Sequence, residues 1–346
     1  MSTENNYLRL SAGALARTFL LCLSLAGCTQ PSVAPPVTTM GLVTDEAGLG
    51  DRSYNDGAYA GLKEAQQRLG VKINVLESKS DADYFSNLML LATENTDESF
   101  AIGIGMAHDV AGVARRWPKR TFALIDAVAD VPNVTSVVFR EQDGAFLAGA
   151  LAALVTKTKT IGFLGGQDVP QSRRFESAYR AGALEADPAV KVLVRYTGSF
   201  TNQFSGRRVA RELFDHRADV VVAAAGLAAL GAFEEVKSRT GDYLIGVNYD
   251  QDGLAPGKVL TSVVKRIDVA VYRVCLDAVS QKQLSGTLEL GLQDGAIGLT
   301  EPAATSSVIA PTRARMTAIY RAIYDGRIKI PTTREALAQF KPVAPI

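Results

Sequence analysis

Short apolar runs alternate with amphipathic, helix-like segments along most of the chain, and this alternation limits the fold more than any other feature. The runs are too short for helices and are bounded by polar residues or glycine, a pattern typical of buried parallel strands. Strands are predicted at residues 40–44, 72–76, 100–103, 121–125, 134–139, 160–164, 190–196, 220–224, 243–247 and 259–263. This order favours doubly wound sheets covered by helices on both faces.

The alternation occurs twice, and the 346 residues are enough for about two domains. Helices are predicted at residues 58–69, 84–94, 109–117, 143–156, 174–186, 203–216, 229–239, 267–281 and 311–325. The predicted fold is therefore α/β, with two Rossmann-like lobes and a central cleft. We expect residues 40–140 plus 264–346 in the first lobe and residues 141–263 in the second. The cleft would be lined by loops at the carboxyl ends of the strands, where such sheets bind ligands.

The first 28 residues have the features of a secretory signal. Arg9 and Arg17 precede an apolar segment at residues 18–25 that is too short to span a bilayer. The segment ends in Leu-Ala-Gly-Cys28, which resembles a bacterial lipobox and implies cleavage before Cys28 and its acylation. The alternatives are an ordinary signal peptide with an incidental cysteine, or an uncleaved anchor. Residues 29–39 are rich in proline and are expected to form a flexible tether.

Charge and composition exclude several classes of protein. A net charge of +1 gives no basic excess for neutralising nucleic-acid phosphates. The two histidines, His108 and His216, have no neighbours at metal-ligand spacing, and no Walker A sequence or complete dinucleotide fingerprint occurs. We therefore predict no metal, no cofactor and no nucleic-acid partner. Cys28 and Cys275 remain after signal removal, so no intramolecular disulfide is expected once Cys28 is acylated.

The polar loop at residues 45–55 follows the first predicted strand and precedes a predicted helix. It contains Asp45, Asp51, Tyr54 and Asn55, which combine carboxylates, a ring and an amide at the expected cleft. From spacing alone, two interpretations remain open. The carboxylates either meet a ligand, or they shape the loop and cap the following helix.

The sequence of this loop resembles the opening of the basic membrane protein family of lipoproteins, which includes PnrA-like purine nucleoside receptors. The resemblance implies the type I periplasmic binding protein fold. About two thirds of the chain takes part in order. The matching segments are residues 43–55, 122–126, 132–134, 139–149, 159–166, 175–176, 198–200, 225–226, 246–251 and 260–266.

The resemblance also implies roles for individual residues. A base would be held between Tyr54 of the first lobe and an aromatic residue of the second, either Phe200 or Phe175. Carboxylates and Lys265 would hold ribose hydroxyls, although Lys265 has the alternative of a structural ion pair at the hinge. The implied ligand-binding residues are Asp45, Asp51, Tyr54, Asn55, Asp126, Phe175, Phe200, Gly226, Asn248, Asp250 and Lys265.

Three positions depart from the family pattern. Asn248 replaces an acceptor-only carboxylate, and Asn202 stands where an aspartate is expected. After Gly226, where the family has a glycine-rich stretch, this chain continues with Leu227 and two alanines. Loss of a ribose-facing carboxylate costs roughly 1–3 kcal/mol if its partners stay unpaired. A deoxynucleoside, a free base or an unrelated small molecule is therefore an alternative ligand.

The expected function is that of a non-enzymatic receptor. It would be a monomer, lipid-anchored outside the cytoplasm, on the periplasmic side in a Gram-negative cell. It would bind a nucleoside-like molecule and pass it to an ABC transporter permease. A ligand sensor that signals to a protein partner is one alternative. A nucleoside-acting enzyme is another, since Asp45, Asp51 and Asp126 supply carboxylates for acid–base chemistry.

Overall fold

The computed structural model describes residues 37–51, 54–282 and 285–343. The predicted signal sequence, Cys28 and most of the predicted tether lie outside these residues. Within the described parts of the chain, none of the helices is both long and apolar enough to cross a membrane.

The strands form two separate sheets of six. They are β1 (Thr39–Val43), β2 (Lys72–Leu76), β3 (Glu98–Ile102), β4 (Thr121–Ile125), β5 (Val134–Phe139), β6 (Thr160–Gly165), β7 (Lys191–Tyr196), β8 (Val220–Ala224), β9 (Tyr243–Asn248), β10 (Val259–Lys265), β11 (Gly286–Leu290) and β12 (Ile297–Leu299). The first sheet has the order β11-β5-β4-β3-β1-β2 and the second β12-β10-β9-β8-β6-β7. All pairs are parallel except β10 with β12. The predicted two-lobed α/β fold is confirmed.

Helices cover both sheets, and two of them pack unusually closely. They are α1 (Tyr54–Leu69), α2 (Tyr84–Thr93), α3 (Ala107–Arg116), α4 (Glu141–Val155), α5 (Pro170–Ala186), α6 (Gln203–Asp215), α7 (Ala229–Lys237), α8 (Ile267–Val279), α9 (Ser306–Ile309), α10 (Arg313–Tyr324) and α11 (Arg334–Ala338). A Cβ at Gly149 of α4 would lie 1.9 Å from a carbonyl oxygen of α5, and one at Gly182 of α5 would lie 1.9 Å from a carbonyl oxygen of α4. Glycine at both positions therefore lets α4 and α5 pack backbone to backbone.

Three segments connect the lobes in the described parts of the chain. They are residues 139–141, 265–267 and 291–296, each of which follows a strand of one sheet and leads to an element of the other lobe. Backbone hydrogen bonds tie them together, from Arg140 N–H to Leu290 and from Arg266 N–H to Ala296, each 2.8 Å long. We expect these three neighbouring segments to act together as a hinge about which the two lobes can close.

The carboxyl end of the chain corrects one expectation. Among the described residues of 264–346, only α8 and β11 belong to the first lobe, since β12 joins the second sheet and α10 packs against α4. Ile319 and Ile323 of α10 are buried in the second-lobe core beside Phe146 and Tyr179. At residues 291–296 the chain returns to the second lobe. The apolar face of α10 is therefore buried against the second lobe.

Glu98 at the start of β3 is a buried carboxyl group in the first lobe. Its Oε1 atom has no hydrogen-bond partner among the described residues. Burial, opposed by a hydrogen bond from Thr121, raises the pKa of Glu98 from 4.5 to about 7. The folded state therefore binds this proton more tightly than the unfolded state does. The resulting stabilisation is complete below about pH 4.5 and is lost as the pH rises through 7.

We expect Glu98→Gln to raise the free energy of unfolding at pH 8 by about 2 kcal/mol, because the amide has no charge to desolvate. The gain should vanish near pH 4, where the wild-type carboxyl is also neutral. Urea unfolding at both pH values measures the difference. Glu289→Gln, on an exposed edge of the same sheet, is the control. An equal gain at both pH values would contradict the explanation.

Candidate functional site

A cavity of about 430 Å³ opens at the carboxyl ends of the second-lobe strands. Phe175 and Phe200 line it, together with Gly226 and Asn248, all four of which were predicted as site residues. Its walls are largely apolar. Glu141 is the one charged side chain that lines the cavity within the described part of the chain. This combination of apolar walls and few polar groups is typical of a small-molecule site.

The two aromatic side chains differ in their surroundings. Phe175 is 5% exposed and lies in the second-lobe core, where its ring is 6.4 Å from that of Phe163. Phe200 is 36% exposed. An aromatic ring with an exposed face can stack on a ligand, whereas the ring of Phe175 is almost entirely covered by other core side chains. Which of them meets a ligand stays a prediction, and the exposure favours Phe200.

A polar network joins the cavity to the first lobe. The Lys265 ammonium group at the end of β10 donates to Asp126 Oδ2 at 2.8 Å and to Glu141 Oε1 at 2.6 Å. It also donates to the Tyr54 hydroxyl at 3.2 Å, and that hydroxyl donates to Asp126 Oδ2 at 2.9 Å. Tyr54 and Asp126 do not line the cavity themselves; they reach it through Lys265 and Glu141. The network therefore connects the two lobes across the cleft.

The ionisation of the network follows from its contacts. Burial alone would lower the pKa of Lys265, but Tyr54, Glu141 and Asp126 outweigh this effect and hold that pKa well above its ordinary value. Burial also raises the pKa of Tyr54, so its hydroxyl keeps its proton. An ammonium group has three N–H bonds, and here each has a protein acceptor. Lys265 thus has no donor left in this arrangement.

Two carboxylate oxygens of the network remain available. Asp126 Oδ1 and Glu141 Oε2 have no hydrogen-bond partner among the described residues, whereas Glu141 Oε1 also accepts from Gln171 at 3.3 Å. With one cation and two carboxylates the network carries a net negative charge. It can accept hydrogen bonds from hydroxyl or amino groups, and it disfavours anions.

The loop at residues 45–51 and the first turn of α1 are held by Asn55. Its Nδ2 atom donates to Asp45 Oδ1 at 2.6 Å and Asp51 Oδ2 at 3.0 Å, and its Oδ1 atom accepts from the Asp45 backbone at 3.0 Å. Asn55 has no exposed surface. The ligand-binding role of Asn55 stays a prediction, and the structure gives no support for it, because the amide is buried and bonded within the loop. Asp51 accepts from the backbone N–H groups of Asn55 and Asp56, as a helix-capping residue does.

Asp126 and Asn248, two of the remaining predicted residues, lie at strand ends. Asp126 follows β4 with φ 63° and Asn248 ends β9 with φ 80°. These strands hold the third position in their respective sheet orders, so the two lobes present the two side chains at equivalent places. The left-handed conformation is one that aspartate and asparagine tolerate better than most residues. Asp250 is exposed and does not line the cavity, and Asn202 caps α6 by accepting from Ser205 N–H.

Glu141 and Gln171 are site residues that the sequence analysis missed. Glu141 begins α4 two residues after β5, and Gln171 lies in the first turn of α5 after β6. A polar residue just beyond a parallel strand is the signal that would have found Glu141.

Two similar α/β lobes, three connecting segments in the described residues and a polar cleft beside an apolar cavity are features of two-lobed solute-binding proteins. Comparison with known proteins gives the family. The family model "ABC transporter substrate-binding protein PnrA-like" matches residues 38–333. The chain belongs to this family of ABC transporter substrate-binding proteins.

Relatives and solved structures agree with this assignment. The CD4+ T-cell-stimulating antigen of Listeria monocytogenes is 32% identical, covering 85% of this chain and 88% of its own length. The ABC transporter nucleoside-binding protein BmpA of Lactococcus lactis is also 32% identical, covering 84% and 88%. A solute-binding protein of an ABC transporter system from Aeropyrum pernix has a TM-score of 0.68 at 26% identity, covering 88% of this chain and 96% of that one.

Proposed function

We propose that this protein is a lipid-anchored extracytoplasmic receptor that binds a nucleoside-like molecule and delivers it to an ABC transporter permease. The anchor would be the acylated Cys28, followed by the tether at residues 29–39. The protein would act as a monomer. The Lactococcus relative, whose name describes a nucleoside-binding protein, supports the ligand class.

The observation that carries the proposal is the pairing of an aromatic cavity with a carboxylate network. Phe200 offers a ring face on which a flat base can stack, and base–aromatic stacking is worth about 1–3 kcal/mol. Glu141 and Asp126 offer oxygens that can accept from ribose hydroxyls, with one carboxylate in each lobe. A ligand that bonds to both would favour the closed arrangement of the lobes, because only that arrangement completes its contacts.

Adenosine is the first probe. The ligand-free chain of residues 29–346 should be prepared by partial unfolding and refolding to remove carried-over ligand. Calorimetry should then give one-to-one binding. A folded protein that fails to bind adenosine, guanosine, inosine and their deoxy forms would contradict the nucleoside proposal.

We expect adenosine 5′-monophosphate to bind at least about 30-fold more weakly than adenosine. Lys265 has no N–H left to donate to a phosphate. The negatively charged Glu141 would lie beside the phosphate in a cavity with largely apolar walls, and this disfavours the anion. Parallel titrations of the two compounds at one ionic strength measure the ratio. Guanosine and its monophosphate provide a second pair with a different base. Equal affinities within a pair would overturn the proposed charge preference.

A further inference from the structure

The last part of the described chain forms a strap across the outside of the second lobe. We use the name C-terminal strap for residues 330–343, which include α11. Leu337 and Phe340 pack against the second-lobe core, and the Phe340 ring meets that of Phe146 edge-on at 6.0 Å. The family match ends at residue 333, so α11 lies beyond it. Residues 334–343 of the strap therefore lie outside the residues that the family model matches.

One side chain of the strap reaches toward the cleft. The Arg334 guanidinium donates from Nε to Glu176 Oε2 at 3.1 Å and from Nη2 to Asp168 Oδ1 at 3.2 Å. It also donates to the Tyr196 hydroxyl at 3.3 Å, and that hydroxyl donates to Glu176 Oε2 at 2.8 Å. Charge-assisted hydrogen bonds from a planar guanidinium fix both distance and angle. Arg334 therefore holds two acidic residues at a set separation.

Those two residues enclose a wall of the cavity. Asp168 lies in the loop before α5, and Glu176 lies in the second turn of α5. Between them, Gln171, Ser172 and Phe175 all line the cavity. Glu176 is almost fully buried, so its position is also fixed by packing. Arg334 therefore bonds to both ends of this wall, although Arg334 itself does not line the cavity.

We propose that Arg334 is a positioning residue for the ligand cavity, acting through Asp168 and Glu176. Without it, the loop before α5 would lose an anchor, while Arg173 would still pair with Asp168 and Arg180 with Glu176. Loss of Arg334 therefore loosens the wall without leaving Glu176 unpaired in the core. The inference deepens the proposed function and depends on it only for the effect on ligand binding.

Amide hydrogen exchange of the ligand-free protein tests the positioning directly. In Arg334→Met we expect residues 166–176 to exchange about ten-fold faster, because local opening becomes easier when the anchor is lost. Residues 203–215 of α6 should be unchanged. Arg313→Met is the matched control, since it breaks an exposed pair with Glu301 elsewhere in the C-terminal region. Unchanged exchange at residues 166–176 would overturn the proposal.

Adenosine titration supplies the second readout. We expect about ten-fold weaker binding for Arg334→Met, partial recovery in Arg334→Lys, and no change in Arg313→Met. Faster exchange with unchanged adenosine affinity would overturn the link to the cavity and leave only a structural anchor. If the wild-type protein binds none of adenosine, guanosine, inosine and their deoxy forms, the nucleoside proposal fails, and hydrogen exchange alone decides whether Arg334 positions the wall.

Discussion

Lys265→Met is expected to lower the free energy of unfolding at pH 8 by about 3 kcal/mol and to abolish measurable adenosine binding. The Lys265 side chain is 5% exposed and neutralises Asp126 and Glu141, which are 19% and 18% exposed. Without the cation, two carboxylates would face each other across the cleft. Removing one member of a buried ion pair typically costs about 3–5 kcal/mol, and the remaining solvent contact of the carboxylates places this case at the lower end.

The deficit of Lys265→Met should shrink as the pH falls. A proton can replace the lost cation, so the variant's folded state would bind protons more tightly than its unfolded state. Urea unfolding between pH 5 and pH 8 measures this trend. Lys237→Met is the control, because Lys237 also lies 2.6 Å from a carboxylate but is exposed, and surface pairs contribute about 0–1 kcal/mol. Equal losses in the two variants would show that the Lys265 network contributes no more than a surface pair.

The strands were predictable because their signal is local. β4 and β5 match their predicted bounds, since each is mostly apolar and lies between polar neighbours, Arg120 and Asp126 for β4 and Asn133 and Arg140 for β5. β11 was missed because it is glycine-bearing and mostly exposed, with only Leu290 buried. It exists because it pairs with β5, more than 140 residues earlier in the chain. The pairing with β5, rather than the composition of β11 itself, stabilises this strand.

The site was predictable in part for the same reason. Asp126 and Lys265 were identified at strand ends, and the structure brings them together. The partnership of Lys265 with Glu141 was not predictable, because it depends on how residues 139–141 and 265–267 cross between the lobes. The loop-holding bonds of Asn55 were not predictable, because an amide in a polar loop looks the same in sequence whether it faces a ligand or holds the loop. Only burial separates the two cases.

We expect Phe200→Ala to affect mainly adenosine affinity and Phe175→Ala to affect mainly the free energy of unfolding. Phe200→Ala should weaken adenosine binding by about 30-fold, the value of one lost stacking partner, and lower the free energy of unfolding by less than about 1 kcal/mol. Phe175→Ala should lower the free energy of unfolding by about 3 kcal/mol, because it removes a buried ring from the second-lobe core. Calorimetric titration and urea unfolding of both variants measure the four quantities.

Leucine replacements separate shape from aromaticity. Phe200→Leu keeps apolar volume but removes the flat ring, so its affinity for adenosine should stay close to that of Phe200→Ala if stacking is the dominant contact. Full affinity in Phe200→Leu would mean that the side chain only fills space. Loss of affinity in Phe175→Leu with stability retained would instead assign the stacking role to Phe175. That result would move the base from the exposed ring of Phe200 to the first turns of α5, beside Gln171 and Glu141.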